Sequence, residues 1–254
     1  MILMPRMILS AASLGLCFAF AQPAAALDLE SLSDADRTLL RAEIREYLLA
    51  NPEVIMEAVA VLEQREAKGQ AEADSDLVKV NAEALFNDPN SWVGGNLDGD
   101  LTLVEFMDYR CSYCRRAHED VKGLLAADGN IRFIIKEFPI LGEESVMASR
   151  FAIATRQVAG DEAYASVHDA LMAYSGSMSE TGFTRLADSL GLDAPAIIAE
   201  MNSDAVTQVI AANHALGQRM QISGTPSFVM GDQMLRGYLP QDAMQRIADE
   251  IRAQ

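Results

Sequence analysis

The sequence predicts a mixed α/β domain with a block of helices inserted between its two halves, preceded by a helical N-terminal segment. Three observations carry that expectation. A strand, a helix and a second strand follow one another over residues 101–138. Residues 143–220 read as helices in series. Residues 225–252 then return to two short strands and a last helix.

The first 26 residues, MILMPRMILSAASLGLCFAFAQPAAA, hold one charge at Arg6, an apolar run and a closing triplet of alanines. That order is expected of a secretory leader cut after Ala26. A lipid anchor on Cys17 is disfavoured because Leu16 stands where such signals need a small residue. No later apolar run reaches the ~18 residues of a membrane span. The mature product is therefore expected to be soluble and periplasmic. Loss of the leader removes Arg6 and no acid, taking the formal charge from -17 to -18. Such an acidic surface repels phosphate backbones and anionic lipid headgroups, so nucleic acid is not an expected partner.

Residues 27–75 form the helical segment. Leu40, Ile44, Tyr47 and Leu48 make one apolar stripe, with Ser33 as its N-cap. Asn51 and Pro52 open a second helix with Val54, Ala58, Val59, Val61 and Leu62 on its apolar side. Two such helices cannot close a core alone, so the stripes dock on the main domain or on other copies of the chain. The stretch KGQAEADSD, residues 68–76, reads as a linker or as a solvated helical continuation. Residues 76–254 form the main domain, in which a short helix at 77–86 and a loop lead into the first strand and whose helical insertion spans about 143–220. Within it, strands at 101–107 and 131–138 flank a helix to residue 127, a right-handed crossover between parallel neighbours. Helices are expected at 144–158, 161–173, 179–190 and 194–216. A hairpin then turns about Gly231 and Asp232, and an amphipathic helix covers 241–252.

Beyond Cys17 the chain has only Cys111 and Cys114, in VEFMDYRCSYCRRAHEDV. As a structural disulfide the pair closes a four-residue loop, for which the chain-entropy estimate is only ~1.9 kcal/mol. As a zinc site it has His118 at i+4 from Cys114 but lacks a fourth ligand. As a redox pair it is well placed: Cys111 follows a strand at the start of a helix, where free amides and the helix dipole stabilise a thiolate. Arg115 and Arg116 add positive potential. Cys111 is then the attacking sulfur, and Cys114, one turn deeper, resolves the mixed disulfide.

The motifs LVEFMDYRCSYCRRAH, IRFIIKEFPILG and ISGTPSFVMGDQMLRGY, in that order, resemble the DsbA-like branch of the thioredoxin superfamily over residues 92–254. The resemblance implies a thioredoxin fold with a helical insertion and a cis Pro226 facing the cysteines. It also implies that Thr225 offers its backbone to a substrate strand, and that Glu105 is a buried acid relaying protons for the inner cysteine. Lys136 on the next strand is the expected partner of Glu105. The segment LRAEIREYLLANPEVIMEAVAVLEQRE is similar to the leading region of ScsC (suppressor of copper sensitivity) proteins, which implies a homo-oligomer with isomerase character. Ser112 stands where the family often has proline, so the direction of electron flow stays open.

The expected activity is thiol-disulfide exchange on unfolded or misoxidised exported proteins, with a membrane redox partner resetting the cysteines and no cofactor. The alternative is a copper(I)-binding dithiol protein of copper tolerance, two thiolates being suited to a soft ion. Ten methionines remain after the leader. Scattered without an M-x-x-M cluster, they are expected in the core. His168 and His214 read as lone helical histidines.

Overall fold

The computed structural model describes residues 32–253; the leader at 1–26 and Cys17 lie outside the described residues. The chain divides into two compact units between Val61 and Leu62.

The first unit holds helix α1 (Asp34–Ala50) and the start of α2 (Glu53–Val80). Ser33 caps α1 by accepting from the Asp36 amide at 3.2 Å, and the Asn51 carbonyl accepts from the Val54 amide at 3.2 Å as α2 begins. α1 buries none of its residues. Leu40, Ile44 and Tyr47 of its stripe are 37%, 50% and 55% exposed.

α2 runs without a break through 68–76, so the helical continuation holds there and not the linker. The stretch lacks proline and gains i,i+4 pairs, Lys68 with Glu72 at 3.8 Å and Gln70 with Asp74 at 2.8 Å. The end of α2 is anchored within the second unit, where buried Asp74 accepts from Arg236 Nη2 at 2.7 Å and Val78 enters the core. The helix expected at 77–86 is thereby divided: its first turn belongs to α2, and α3 (Ala82–Phe86) follows.

The second unit is built on a five-stranded sheet in the order β1-β3-β2-β4-β5. β2 (Leu101–Met107) and β3 (Ile131–Glu137) are parallel and joined through α4 (Ser112–Asp128), as the sequence predicts. Gly129 ends α4 in the left-handed region at φ 70°, a conformation that glycine adopts without Cβ strain. β4 (Ser227–Met230) runs antiparallel to β2, and β5 (Gln233–Arg236) closes the hairpin through Gly231 at φ 60°. β1 (Trp92–Gly95), antiparallel to β3, occupies a stretch that reads as loop. Two glycines among its four residues leave no alternation to detect, and its pairing is decided by the exposed edge of β3. α10 (Gln241–Arg252) spans the expected residues.

Between β3 and β4 lie α5 (Glu143–Ala159), α6 (Asp161–Ala173), α7 (Glu180–Ser189), α8 (Ala194–Glu200) and α9 (Asp204–Arg219). The single helix expected at 194–216 is in fact two. Ser203 Oγ accepts from the Val206 amide at 3.1 Å and starts α9 afresh, the competition a serine offers to a continuing helix.

Apolar cover on both faces explains why β2 does not alternate. Leu103, Met107, Ile131, Phe133 and Ile135 face a cluster that includes Cys114 and Phe151. Val104, Phe106 and Ile134 face a second cluster with Phe138 and Leu216. A strand buried on both sides reads as a continuous apolar run. Seven of the ten later methionines are buried, whereas Met56 on α2 is 68% exposed. Among the described residues no helix is long and apolar enough to cross a membrane.

Candidate active site

The strand-to-helix junction at 108–112 positions the cysteines. Buried Asp108 stops β2 and ties the junction down: its Oδ1 accepts from the Arg110 amide at 2.8 Å, and its Oδ2 accepts from the amides of Ile140 and Leu141 at 2.8 and 3.1 Å. The Asp108 carbonyl accepts from the Cys111 amide at 3.1 Å. Cys111 is then the N-cap residue of α4 and carries its extended backbone into the first turn. Cys111 is 7% exposed, Cys114 is fully covered, and both are free thiols.

Opposite them, the chain enters β4 through Thr225 and a cis Pro226. Cys111 Sγ lies 3.2 Å from the Thr225 carbonyl oxygen. The expected approach of the Thr225-Pro226 loop to the outer cysteine is therefore present. An open groove of about 270 Å³ runs along this loop, lined by Gly224, Thr225, Pro226, Arg236 and Gly237. Larger concavities, of about 630 and 690 Å³, lie beside α3 and α9 and beside α2 and β5, away from the cysteines.

The two sulfurs have opposite surroundings. A hydrogen bond from Cys114 is the largest influence on Cys111; with one from the Thr225 side chain and those from the amides of Cys114 and Tyr113, it holds the Cys111 thiol down at about 5 against the opposing effect of burial. Burial drives the Cys114 thiol strongly upward, with the Cys111 sulfur and the charge of Glu105 adding to it. The two arginines are engaged by other groups. Arg115 Nε donates to the Tyr109 carbonyl at 2.8 Å, and the Arg116 guanidinium sits 4.3 Å over the Tyr238 ring. Thiol and amide donors at the helix start, not these side chains, dominate the stabilisation of Cys111.

Glu105 is buried on β2, and its Oε1 has no hydrogen-bond partner among the described residues. Burial, then the charges of Cys111 and Glu137, push its carboxyl up to about 8. Lys136 is not its partner. The register sets Glu105 opposite Ile135 and Lys136 opposite Phe106, so alternation sends the two side chains to opposite faces of the sheet. Lys136 Nζ instead bonds the Ala84 carbonyl at 2.7 Å and Asp88 Oδ2 at 2.8 Å. A one-residue offset between parallel strands is invisible to a reading that lacks the pairing.

A buried polar cluster next to the site was missed in the sequence. Glu137 Oε1 accepts from Tyr109 at 2.8 Å and from Tyr164 at 2.7 Å, and Oε2 accepts from Ser149 at 2.7 Å. Burial outweighs these donors and raises the Glu137 carboxyl to about 7. His168, far from lone, has Nδ1 3.0 Å from the Tyr109 hydroxyl and its ring 5.1 Å from that of His118. Burial depresses His168 to about 3. His118, weighed above as a zinc ligand, pairs through Nε2 with Asp169 at 3.0 Å. The available signal was the i,i+4 spacing of Tyr164 and His168.

A dithiol at a helix start, facing a cis-proline loop at the centre of this sheet, defines a thioredoxin-like redox protein. Residues 102–249 match the model of the DSBA-like thioredoxin domain, and the chain belongs to that family. Residues 36–68 match the copper resistance protein ScsC N-terminal domain. Among solved structures, a thioredoxin-like oxidoreductase from Silicibacter pomeroyi is 46% identical, covering 68% of this chain and 98% of that one with a TM-score of 0.63. ScsC of Proteus mirabilis in a transitional conformation is 27% identical, covering 87% and 97% with a TM-score of 0.61. A periplasmic thioredoxin-like protein from Salmonella enterica serovar Typhimurium is 27% identical, covering 69% and 97% with a TM-score of 0.59. The chain also spans about 22% of the length of two curated relatives it matches, Na(+)/H(+) antiporters NhaA from Salinispora species.

Proposed function

We propose that this chain is an exported, periplasmic thiol-disulfide oxidoreductase that exchanges disulfides with unfolded or misoxidised proteins through Cys111 and Cys114. The observation that carries the reading is Cys111 Sγ, 3.2 Å from the Thr225 carbonyl oxygen beside an open groove, with its thiol lowered to about 5 by the donors around it. A substrate strand lying along that groove pairs with the loop backbone and brings its sulfur to Cys111. The periplasmic Salmonella neighbour and the leader-like residues 1–26 support export.

In the reducing direction, the Cys111 thiolate attacks a substrate disulfide. One Cys111-substrate S–S bond forms, and the second substrate sulfur leaves as thiolate. Cys114 then gives its proton to the Glu105 carboxylate and attacks Cys111 Sγ. The protein disulfide forms, the substrate departs as thiolate, and two electrons have passed to the substrate. The oxidising direction is the reverse, and a membrane redox partner resets the pair. A Cys111 thiolate stabilised in the dithiol state makes the disulfide form more oxidising than one with ordinary thiols. A Cys114→Ala variant is expected to retain covalent adducts through Cys111. Failure to form mixed disulfides with unfolded cysteine-containing proteins dismisses the reading.

The apolar residues left exposed on α1 and early α2 support a homo-oligomer assembled through these helices, which favours isomerisation by presenting several thiol sites together. Copper(I) binding is the second reading, favoured by two adjacent free thiols and by the copper-resistance name of the matched N-terminal family. Titration of the reduced protein with copper(I) against a competing chelator tests it. Affinity no better than that of a short CxxC peptide removes it.

A further inference from the structure

The mechanism above uses Glu105 and leaves Glu137 without a task. Glu137 closes β3 two residues beyond Ile135, the partner of Glu105 across the two strands. Alternation therefore puts both acids on the sheet face that packs against Cys114. One strand spacing and two residues of rise separate their Cα atoms by roughly 8 Å. Both are buried, but only Glu137 is provided with donors, from Tyr109, Tyr164 and Ser149. Glu105 has an oxygen with none. Two carboxylates so close in a dry space repel, and a single negative charge settles where hydroxyls solvate it.

We propose that Glu105 and Glu137 form a buried acid pair sharing one negative charge in the reduced protein, with Glu137 as the positioning residue whose charge keeps the proton on Glu105. This deepens the exchange reading and rests on it. In the dithiol state burial, and then the charges of Cys111 and Glu137, hold the proton on Glu105. When Cys111 enters a mixed disulfide its negative charge leaves the site. Glu105 then releases its proton to water and becomes the base that takes the proton of Cys114. The base is thus armed by formation of the Cys111-substrate bond, and Glu137 sets how firmly it is held off before then.

Of the other groups facing Glu137, Asp108, on the junction before Tyr109, opposes the charge by raising the proton affinity of Glu137, an influence smaller than that of each of the three hydroxyl donors. His168 on α6 is neutral in the relevant range and shares the Tyr109 hydroxyl. From α9, Asn213 contributes only an uncharged amide, donated to the Glu137 carbonyl at 3.0 Å. His118 and Lys122 on α4 reach Asp169 at the surface end of the cluster. Lys136 lies on the opposite face, already paired with Asp88.

The test is a carboxyl carbon NMR titration of the reduced full chain, with the Glu105 signal assigned by its loss in Glu105→Gln. In Glu137→Gln the Glu105 midpoint is expected to fall by about one pH unit, the size of a like-charge repulsion at this distance. Tyr164→Phe keeps the ring, removes one donor and makes Glu137 easier to protonate, so the Glu105 midpoint is expected to fall there also. If Glu137→Gln does not fold, Tyr164→Phe decides alone. A purely structural cluster lowers the melting temperature and leaves the midpoint where it was; that result overturns the proposal. No substrate enters the titration, so its failure leaves the exchange reading standing, and a failed adduct trap leaves the midpoint result intact.

Discussion

Cys111 and Glu105 show how position alone gives ordinary side chains unusual proton affinities. Cys111 is lowered by donors it meets at the first turn of α4, and its thiolate absorbance is expected to titrate near pH 5 in the reduced protein. A midpoint near that of free cysteine contradicts the site geometry. Glu105 runs the other way. With its folded value raised to about 8 above an ordinary value near 4.5, it keeps a proton that the unfolded chain has lost. Its contribution to stability is full below about 4.5 and declines as pH rises through 8, by up to about 1.4 kcal/mol per pH unit. Glu105→Gln removes that decline. The stability of the variant relative to wild type, from urea unfolding of the reduced proteins at several pH values, is therefore expected to climb across this window. Mixed-disulfide resolution in the same variant is expected to slow. A difference that stays flat with pH means that Glu105 is ionised in the folded state. At this scale the sequence was informative about sulfur and nearly mute about carboxyl groups. A CxxC after a strand names its own chemistry, whereas the burial of Glu105 depends on cover from both sides of the sheet, and Val104 and Phe106 beside it conceal the alternation.

Among the elements, the inserted helices and the end of α2 differ in how they are held. The insertion is fastened by packing: Phe151 of α5 and Phe183 of α7 stack at 4.6 Å, both fully buried. Phe183→Ala is expected to cost about 3–5 kcal/mol, read as a lowered urea midpoint, because the cavity cannot collapse between packed helices. The end of α2 is fastened by charge. Arg236 bridges Asp74 at 2.7 Å and the Gln221 carbonyl at 3.1 Å. Arg236→Ala leaves the buried Asp74 carboxylate with no cation and only the Gln70 amide as donor, and is expected to cost about 1–3 kcal/mol. Faster amide exchange over residues 70–80 reports it; unchanged exchange there means that the packing of Leu77 and Val78 and the bond from Ser75 to Asp232 hold the helix end. Helices with a strong period or cap were legible to within a residue or two, α10 above all. β1, a strand without alternation, and the break at Ser203, a local hydrogen bond competing with the helix, were not.

For the whole molecule, the question is what the N-terminal helices add to the dithiol site. A chain beginning at Ala71 keeps Asp74, Val78 and every residue of the site. It is expected to reduce a small disulfide at an unchanged rate, to run as a monomer by light scattering, and to lose most of the capacity to reactivate a scrambled disulfide protein. Equal reactivation by both forms removes the reason for invoking assembly. By itself the sequence determined the class of fold, the order of its halves and the redox pair, because periodicity, caps and the cysteine spacing are local properties of the chain; the loop that faces the pair was implied by the family resemblance. Only the tertiary structure decided which acids are buried together, that Lys136 serves Asp88, and that His168 joins a cluster. Those outcomes turn on strand register and on side chains distant in sequence, and a one-residue shift in pairing would have reversed them.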